Sequence, residues 1–158
     1  MAQSFGSFEI GVAAFPDVHP AATGFDQGIE VLLRKEQLGA TFAVTQFVFQ
    51  PESYARLISE LADRGSNLTV YPGIMPVTSY PQFMRMLDMA NGEIPISLMA
   101  QFDQYRDDPD SIRELGIEVA TRVSEEVLDA GAEGLHFYTL NSAKSTLEVV
   151  KRLGVRDY

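Results

Sequence analysis

Apolar residues along the chain follow two rhythms. Short β-prone runs occupy residues 8–14, 42–49, 68–71 and 134–139. Between them apolar positions recur at helical spacing over 24–38, 51–64, 80–90, 94–105 and 109–130, and a last helical pattern covers 142–153. Strand alternating with helix predicts a parallel sheet built of βα units. Three junctions repeat: Leu38-Gly39-Ala40, Arg64-Gly65-Ser66 and Ala130-Gly131-Ala132 each set a glycine between a helical pattern and a strand, where a left-handed residue closes a helix. Helix starts are marked by Pro51, by Ser79 with Gln82 three residues later, by Asp108-Pro109, and by Asn141. Four βα units fit either a small open α/β sheet or half of an eight-stranded barrel, which in full takes about 250 residues.

Composition narrows the class. With 158 residues, 46% of them hydrophobic and 22% charged, one soluble domain is expected. No stretch approaches the roughly 20 apolar residues of a membrane span. The start Met1-Ala2-Gln3-Ser4 lacks the basic and apolar regions of a signal peptide, so a cytoplasmic location is expected. Cysteine is absent, which excludes disulfides, thiolate nucleophiles and Cys-based metal sites. The formal charge of −10 disfavours nucleic acid and anionic lipid as partners, so a phosphate-bearing ligand would need local donors. Dinucleotide fingerprint, P-loop, zincin and EF-hand patterns are missing. Asp107, Asp108 and Asp110 sit at a helix start beside Pro109 and read as caps, and no metal site is expected.

Chemistry concentrates where the β-prone runs end, which is where α/β folds bind ligands. The first run leads into Phe15-Pro16-Asp17-Val18-His19-Pro20, a loop offering an aromatic ring, a carboxylate and an imidazole; two prolines fixing an ordinary turn would explain it equally well. Gln46 is polar within an otherwise apolar run, so its amide either bonds its neighbours or faces a ligand. The third run ends in Tyr71-Pro72-Gly73-Ile74-Met75-Pro76-Val77, where Gly73 allows close approach of the backbone. The fourth ends in His136-Phe137-Tyr138-Thr139-Leu140-Asn141, which points hydroxyls and an amide past the sheet.

Together FPDVHP at 15–20, VTQFVF at 44–49, YPGIMPV at 71–77 and LHFYTLN at 135–141, with LRK at 33–35 and NGEIP at 91–95, resemble methylenetetrahydrofolate reductase. The resemblance runs from about Phe8 to Val155 and covers the carboxyl-terminal half of that family's catalytic barrel. It implies that residues 1–158 form a single partial domain, with the four runs as strands five to eight of a (β/α)8 barrel. It further implies FAD as cofactor, NADH or NADPH as reductant, and reduction of 5,10-methylenetetrahydrofolate to 5-methyltetrahydrofolate, a one-carbon step leading to methionine. Carried over by motif, Phe15, His19, Ala22, Arg34 and Lys35 are expected to line FAD. Gln46, Gln82 and Tyr138 are expected on the substrate side. Two positions depart from the family: Ser142 replaces an arginine suited to a folate carboxylate, and Gly28 replaces an aspartate near the flavin. The family's acid and its flavin-edge aspartate belong to the other half, so no catalytic residue is assignable here.

Two functional readings follow, and a third is weaker. The chain is the carboxyl-terminal half of such a reductase, partnered by an amino-terminal half or another subunit and so part of an assembly. Alternatively, it is a non-catalytic half-barrel that self-associates or binds a partner through its open edges. The third is a different βα enzyme sharing only the architecture.

Overall fold

A computed structural model describes residues 6, 8–19, 21–89 and 94–154. Residues 1–4, Pro20, residues 90–93, which include the first part of NGEIP, and Val155 lie outside the described residues. Ten elements follow in order: β1 Gly11–Ala14, α1 Phe25–Gln37, β2 Phe42–Phe47, α2 Pro51–Asp63, β3 Thr69–Ile74, α3 Tyr80–Met89, α4 Ile96–Gln104, α5 Pro109–Asp129, β4 His136–Phe137 and α6 Lys144–Arg152. All neighbouring strands are parallel and the sheet order is β1-β2-β3-β4. Right-handed crossovers that always step the same way put every helix on one face of the sheet. A doubly wound sheet would reverse its order, so the architecture is that of consecutive units of a (β/α)8 barrel.

The two faces differ accordingly. Paired residues share a face, and Ala14, Ala43, Thr45 and Val70 on the helix side are buried. Gly11, Ala13, Phe42, Val44 and Tyr71, on the opposite face, remain half-buried or exposed. The core lies between the first face and the helices, where Tyr54 of α2 donates its hydroxyl to Val70 O at 2.9 Å. Burial, with Glu133 nearby, pushes that hydroxyl up to about 12, so it remains a donor. Phe83 of α3 stacks on Phe102 of α4 with ring centroids 4.1 Å apart.

The three glycine junctions close their helices alike. Gly39, Gly65 and Gly131 have φ of 103, 75 and 103°. Their N–H groups donate to Glu36, Ala62 and Leu128, and the next residues' N–H groups donate to Lys35, Leu61 and Val127, the paired bonds of a Schellman cap. At the start of α5, Asp108 accepts from Asp110 N at 3.1 Å and Ser111 N at 3.2 Å. The Ser111 hydroxyl and these N–H groups hold its carboxyl below the usual range. A depressed carboxyl stabilises the fold above its unfolded pKa and loses that contribution as pH falls. Asp108→Ala is therefore expected to lower the thermal midpoint at neutral pH, with the gap to the parent closing in acid. A gap independent of pH would exclude a charged cap.

Boundaries differ from the pattern at several places, and β2 ends at Phe47 instead of residue 49. β1 begins at Gly11 instead of residue 8. β3 continues to Ile74 through Pro72, which has no N–H for the ladder; β2 answers with a bulge, setting Thr45 and Gln46 against Pro72 alone. Thr45 Oγ1 accepts from Gly73 N at 2.8 Å and donates to Gln46 O at 2.7 Å, so the buried hydroxyl is satisfied inside the bulge. β4 shrinks to two residues at the sheet edge. Asn141 is no helix cap: Ser142 N donates to Thr139 O at 2.9 Å, and Leu140 and Asn141 have φ of 47 and 63°, a type I′ turn. Ala143 precedes α6 with no side-chain cap.

Candidate functional site

At the carboxyl end of β1 the chain forms a cavity of about 410 Å³, within the range of small-molecule sites. Phe15, His19, Ala22 and Lys35 all line it, with Gly28 on its wall. The loop after β1 is held from both sides. Ser53 of α2 donates to Asp17 at 2.6 Å, so that carboxylate serves as an anchor for the loop. His19 Nδ1 accepts from Ala21 N at 3.0 Å, which leaves the proton on Nε2. Its ring meets Phe15 edge-on at 4.3 Å. Lys35 Nζ donates to Ala13 O at 2.8 Å, drawing the cation against the strand end. Arg34 is not in this lining; it is exposed and Nη1 donates to Gln37 at 3.3 Å.

A second cavity, of about 210 Å³, opens beyond β3 and β4. Gln82, Tyr138, Ser142 and Arg85 are among its lining residues. Gln82 is at α3's start but departs from a capping box by one position: its Oε1 accepts from Thr78 N at 2.8 Å and Thr78 Oγ1 at 2.6 Å, while Ser79 Oγ accepts from Gln82 N at 3.3 Å. The carbonyl oxygen is thereby occupied and the amide NH₂ remains for a ligand. Tyr138 reaches across β3 and donates to Thr45 O at 2.9 Å. Its ring lies edge-on to Phe47 at 5.1 Å, and burial pushes its hydroxyl above the ordinary phenol value. Gly73 makes that crossing possible, since a Cβ there would stand 2.7 Å from the Tyr138 ring.

Gln46 lines neither cavity. It is half-buried at the bulge, and its Oε1 accepts from Phe47 N at 3.2 Å, the local of the two options open to a polar residue in that run. The structure thus gathers the first-loop residues with Lys35 and, separately, Gln82 with Tyr138. Arg85 and Thr146 in the second cavity carry no motif; Arg85's place three residues after Gln82, on the same helix face, was the available signal. Among the described residues no group of three or more His, Asp or Glu side chains could hold a metal ion, and no helix is long and apolar enough to cross a membrane.

The chain is similar to 5,10-methylenetetrahydrofolate reductase of Escherichia coli, with 36% identity over 94% of the chain and 50% of that protein. It is 31% identical to methylenetetrahydrofolate reductase 1 of Schizosaccharomyces pombe over 95% of the chain and 25% of that protein. The chain therefore spans about half the length of the bacterial curated relatives it matches. A solved structure, an uncharacterized protein from Clostridium thermocellum that binds two copies of 5-methyl-5,6,7,8-tetrahydrofolic acid, superposes with a TM-score of 0.61. It has 14% identity, with 94% of this chain and 54% of that one covered, a likeness of fold. The family model for methylenetetrahydrofolate reductase matches residues 1–154, and the chain belongs to that family.

Proposed function

We propose that this chain acts as the carboxyl-terminal half of a flavin-dependent barrel that reduces 5,10-methylenetetrahydrofolate to 5-methyltetrahydrofolate with NADH or NADPH. The observation that carries the reading is convergence: of five positions that the family motifs relate to FAD, four line one cavity at the carboxyl end of β1. The donor set suits such a cofactor. Lys35 supplies positive charge in a chain of net charge −10, His19 offers Nε2–H, and Ala13 and Ala22 give flat apolar walls. At Gly28 a Cβ would meet nothing within 4 Å, so the wall there is open. The chemistry that bound FAD supplies is two-electron carriage between nicotinamide and folate.

This chain's own residues bind and orient. Phe15 packs against His19 and gives the cavity an aromatic wall, while Lys35 balances an anionic group at the strand end. Gln82 donates from its free amide, and Tyr138 presents its ring, because its hydroxyl is committed to Thr45. The family's acid lies outside the motifs this chain matches, so the other half of the barrel would provide the proton donor.

The sheet face opposite the helices supports closure by a partner, since among the described residues Phe42, Val44 and Tyr71 are left half-buried there. A second copy could close it as well as an amino-terminal half, which is the alternative reading. Mixing the chain with FAD and the amino-terminal half of a relative separates them. Turnover of NAD(P)H that depends on methylenetetrahydrofolate is expected, and Lys35→Ala should weaken flavin retention roughly tenfold. A mixture that retains no flavin and turns nothing over, with the chain sedimenting as a self-associated species, would overturn this reading in favour of the non-catalytic module.

A further inference from the structure

Charge in the second cavity is distributed unlike charge in the rest of the molecule. The chain holds 22 Asp and Glu, yet none lines this cavity. Its charged group is Arg85, and among the described residues Arg85 is the arginine with neither a hydrogen bond nor an ion pair nor a ring beneath it. Arg64, Arg106, Arg113, Arg122 and Arg152 are all ion-paired, Arg34 bonds Gln37, and Arg56 lies over Phe25. An unpaired guanidinium facing a carboxylate-free hollow is placed for an anion from outside.

Three further features converge on it. Thr146 is only 7% exposed, lines the cavity, and its hydroxyl makes no hydrogen bond among the described residues. No buried side-chain oxygen among the described residues lacks a partner, so this unbonded hydroxyl is accessible and, on a residue that lines the hollow, available to a ligand there. Thr146 and Ser142 flank the start of α6, a nine-residue helix that no side chain caps, so its first N–H groups favour negative charge. Gln82 contributes a free NH₂ beside them.

We propose that this cavity is a carboxylate site in which Arg85 is the anchoring cation, with Thr146 and the α6 terminus as neutral donors. Resting on the folate reading above, it would hold the glutamate carboxylates of the substrate. Arg85 on α3 would then do what Ser142 at the end of the Thr139 turn cannot. Because Ser142 lines the same hollow, a cation supplied from either wall can serve.

All the named groups belong to this chain, so the chain itself can be titrated with 5-methyltetrahydrofolate and with the same pteridine carrying a neutral carboxamide in place of glutamate, 5-methyltetrahydropteroamide. The parent is expected to prefer the glutamate-bearing compound by about 10-fold or more, a preference that fades with salt, and Arg85→Ala should abolish it while leaving pteroamide binding unchanged. Arg85 is exposed on its helix, so the variant should fold. Restored preference on adding Ser142→Arg to Arg85→Ala would tie the loss to charge. A preference that persists in Arg85→Ala overturns this assignment and leaves the reductase reading standing. Failure of the parent chain to bind either compound also overturns it, whereas the reductase reading falls only with the reconstituted barrel.

Discussion

A methyl group placed at Gly116 is expected to cost the domain about 3 kcal/mol or more, and to lower its thermal midpoint by about 6–12 °C. Gly116 sits on the buried side of α5, and a Cβ there would lie 2.0 Å from Val77 O, 2.8 Å from Val77 C and 2.9 Å from Val77 N. These are backbone atoms, which cannot rotate aside as a side chain would. Either α5 moves outward, pulling Ile112, Val119 and Val123 from the core, or the segment after β3 is displaced. On an exposed helix the same Gly→Ala exchange would gain about 1 kcal/mol. The sign of the change therefore decides between the two, and thermal unfolding of Gly116→Ala measures it. A variant more stable than the parent would mean that α5 does not rest on the Val77 backbone.

Features of this fold that depend on neighbouring residues were legible in the sequence, and those that depend on another element were not. The glycines at 39, 65 and 131 follow amphipathic runs, and their φ values and cap bonds agree with that reading. Pro72, by contrast, looks like the end of a strand when read along the chain. Only the bulge of β2, with Thr45 in place of a ladder carbonyl, lets β3 continue through it. Asn141 has the composition of a cap, yet pairing of the short β4 with β3 sends the chain through a turn first. Gly116 gave no signal beyond a glycine inside a helix. At the candidate site, the family motifs named Phe15, His19, Ala22 and Lys35, which share a cavity, and also Arg34, which lies outside that lining and bonds Gln37. Arg85 and Thr146 come from different helices, and only tertiary structure brings them to one hollow.

Gly73→Ala is expected to reach the substrate side of the site directly. Its Cβ would stand 2.5 Å from Thr45 O, 2.7 Å from Tyr138 Cε2 and 3.1 Å from Gln46 O. The ring is the movable member of that set, so it should tilt and give up its 2.9 Å bond to Thr45 O. That oxygen also flanks the new methyl, and the bulge must strain to keep its own hydrogen bonds. Overpacking against backbone plus the lost bond amounts to about 2–4 kcal/mol of stability. Tyr138→Phe alone removes only the hydroxyl bond and should cost about 1 kcal/mol. The two sites should be strongly coupled: with Tyr138→Ala the ring no longer opposes the methyl, and Gly73→Ala should then cost distinctly less than in the parent. A double-mutant cycle by chemical denaturation, read alongside the near-ultraviolet tyrosine signal, tests this. Simple additivity would show that the bulge carbonyls alone resist the methyl, and that Tyr138 is positioned by something other than Gly73.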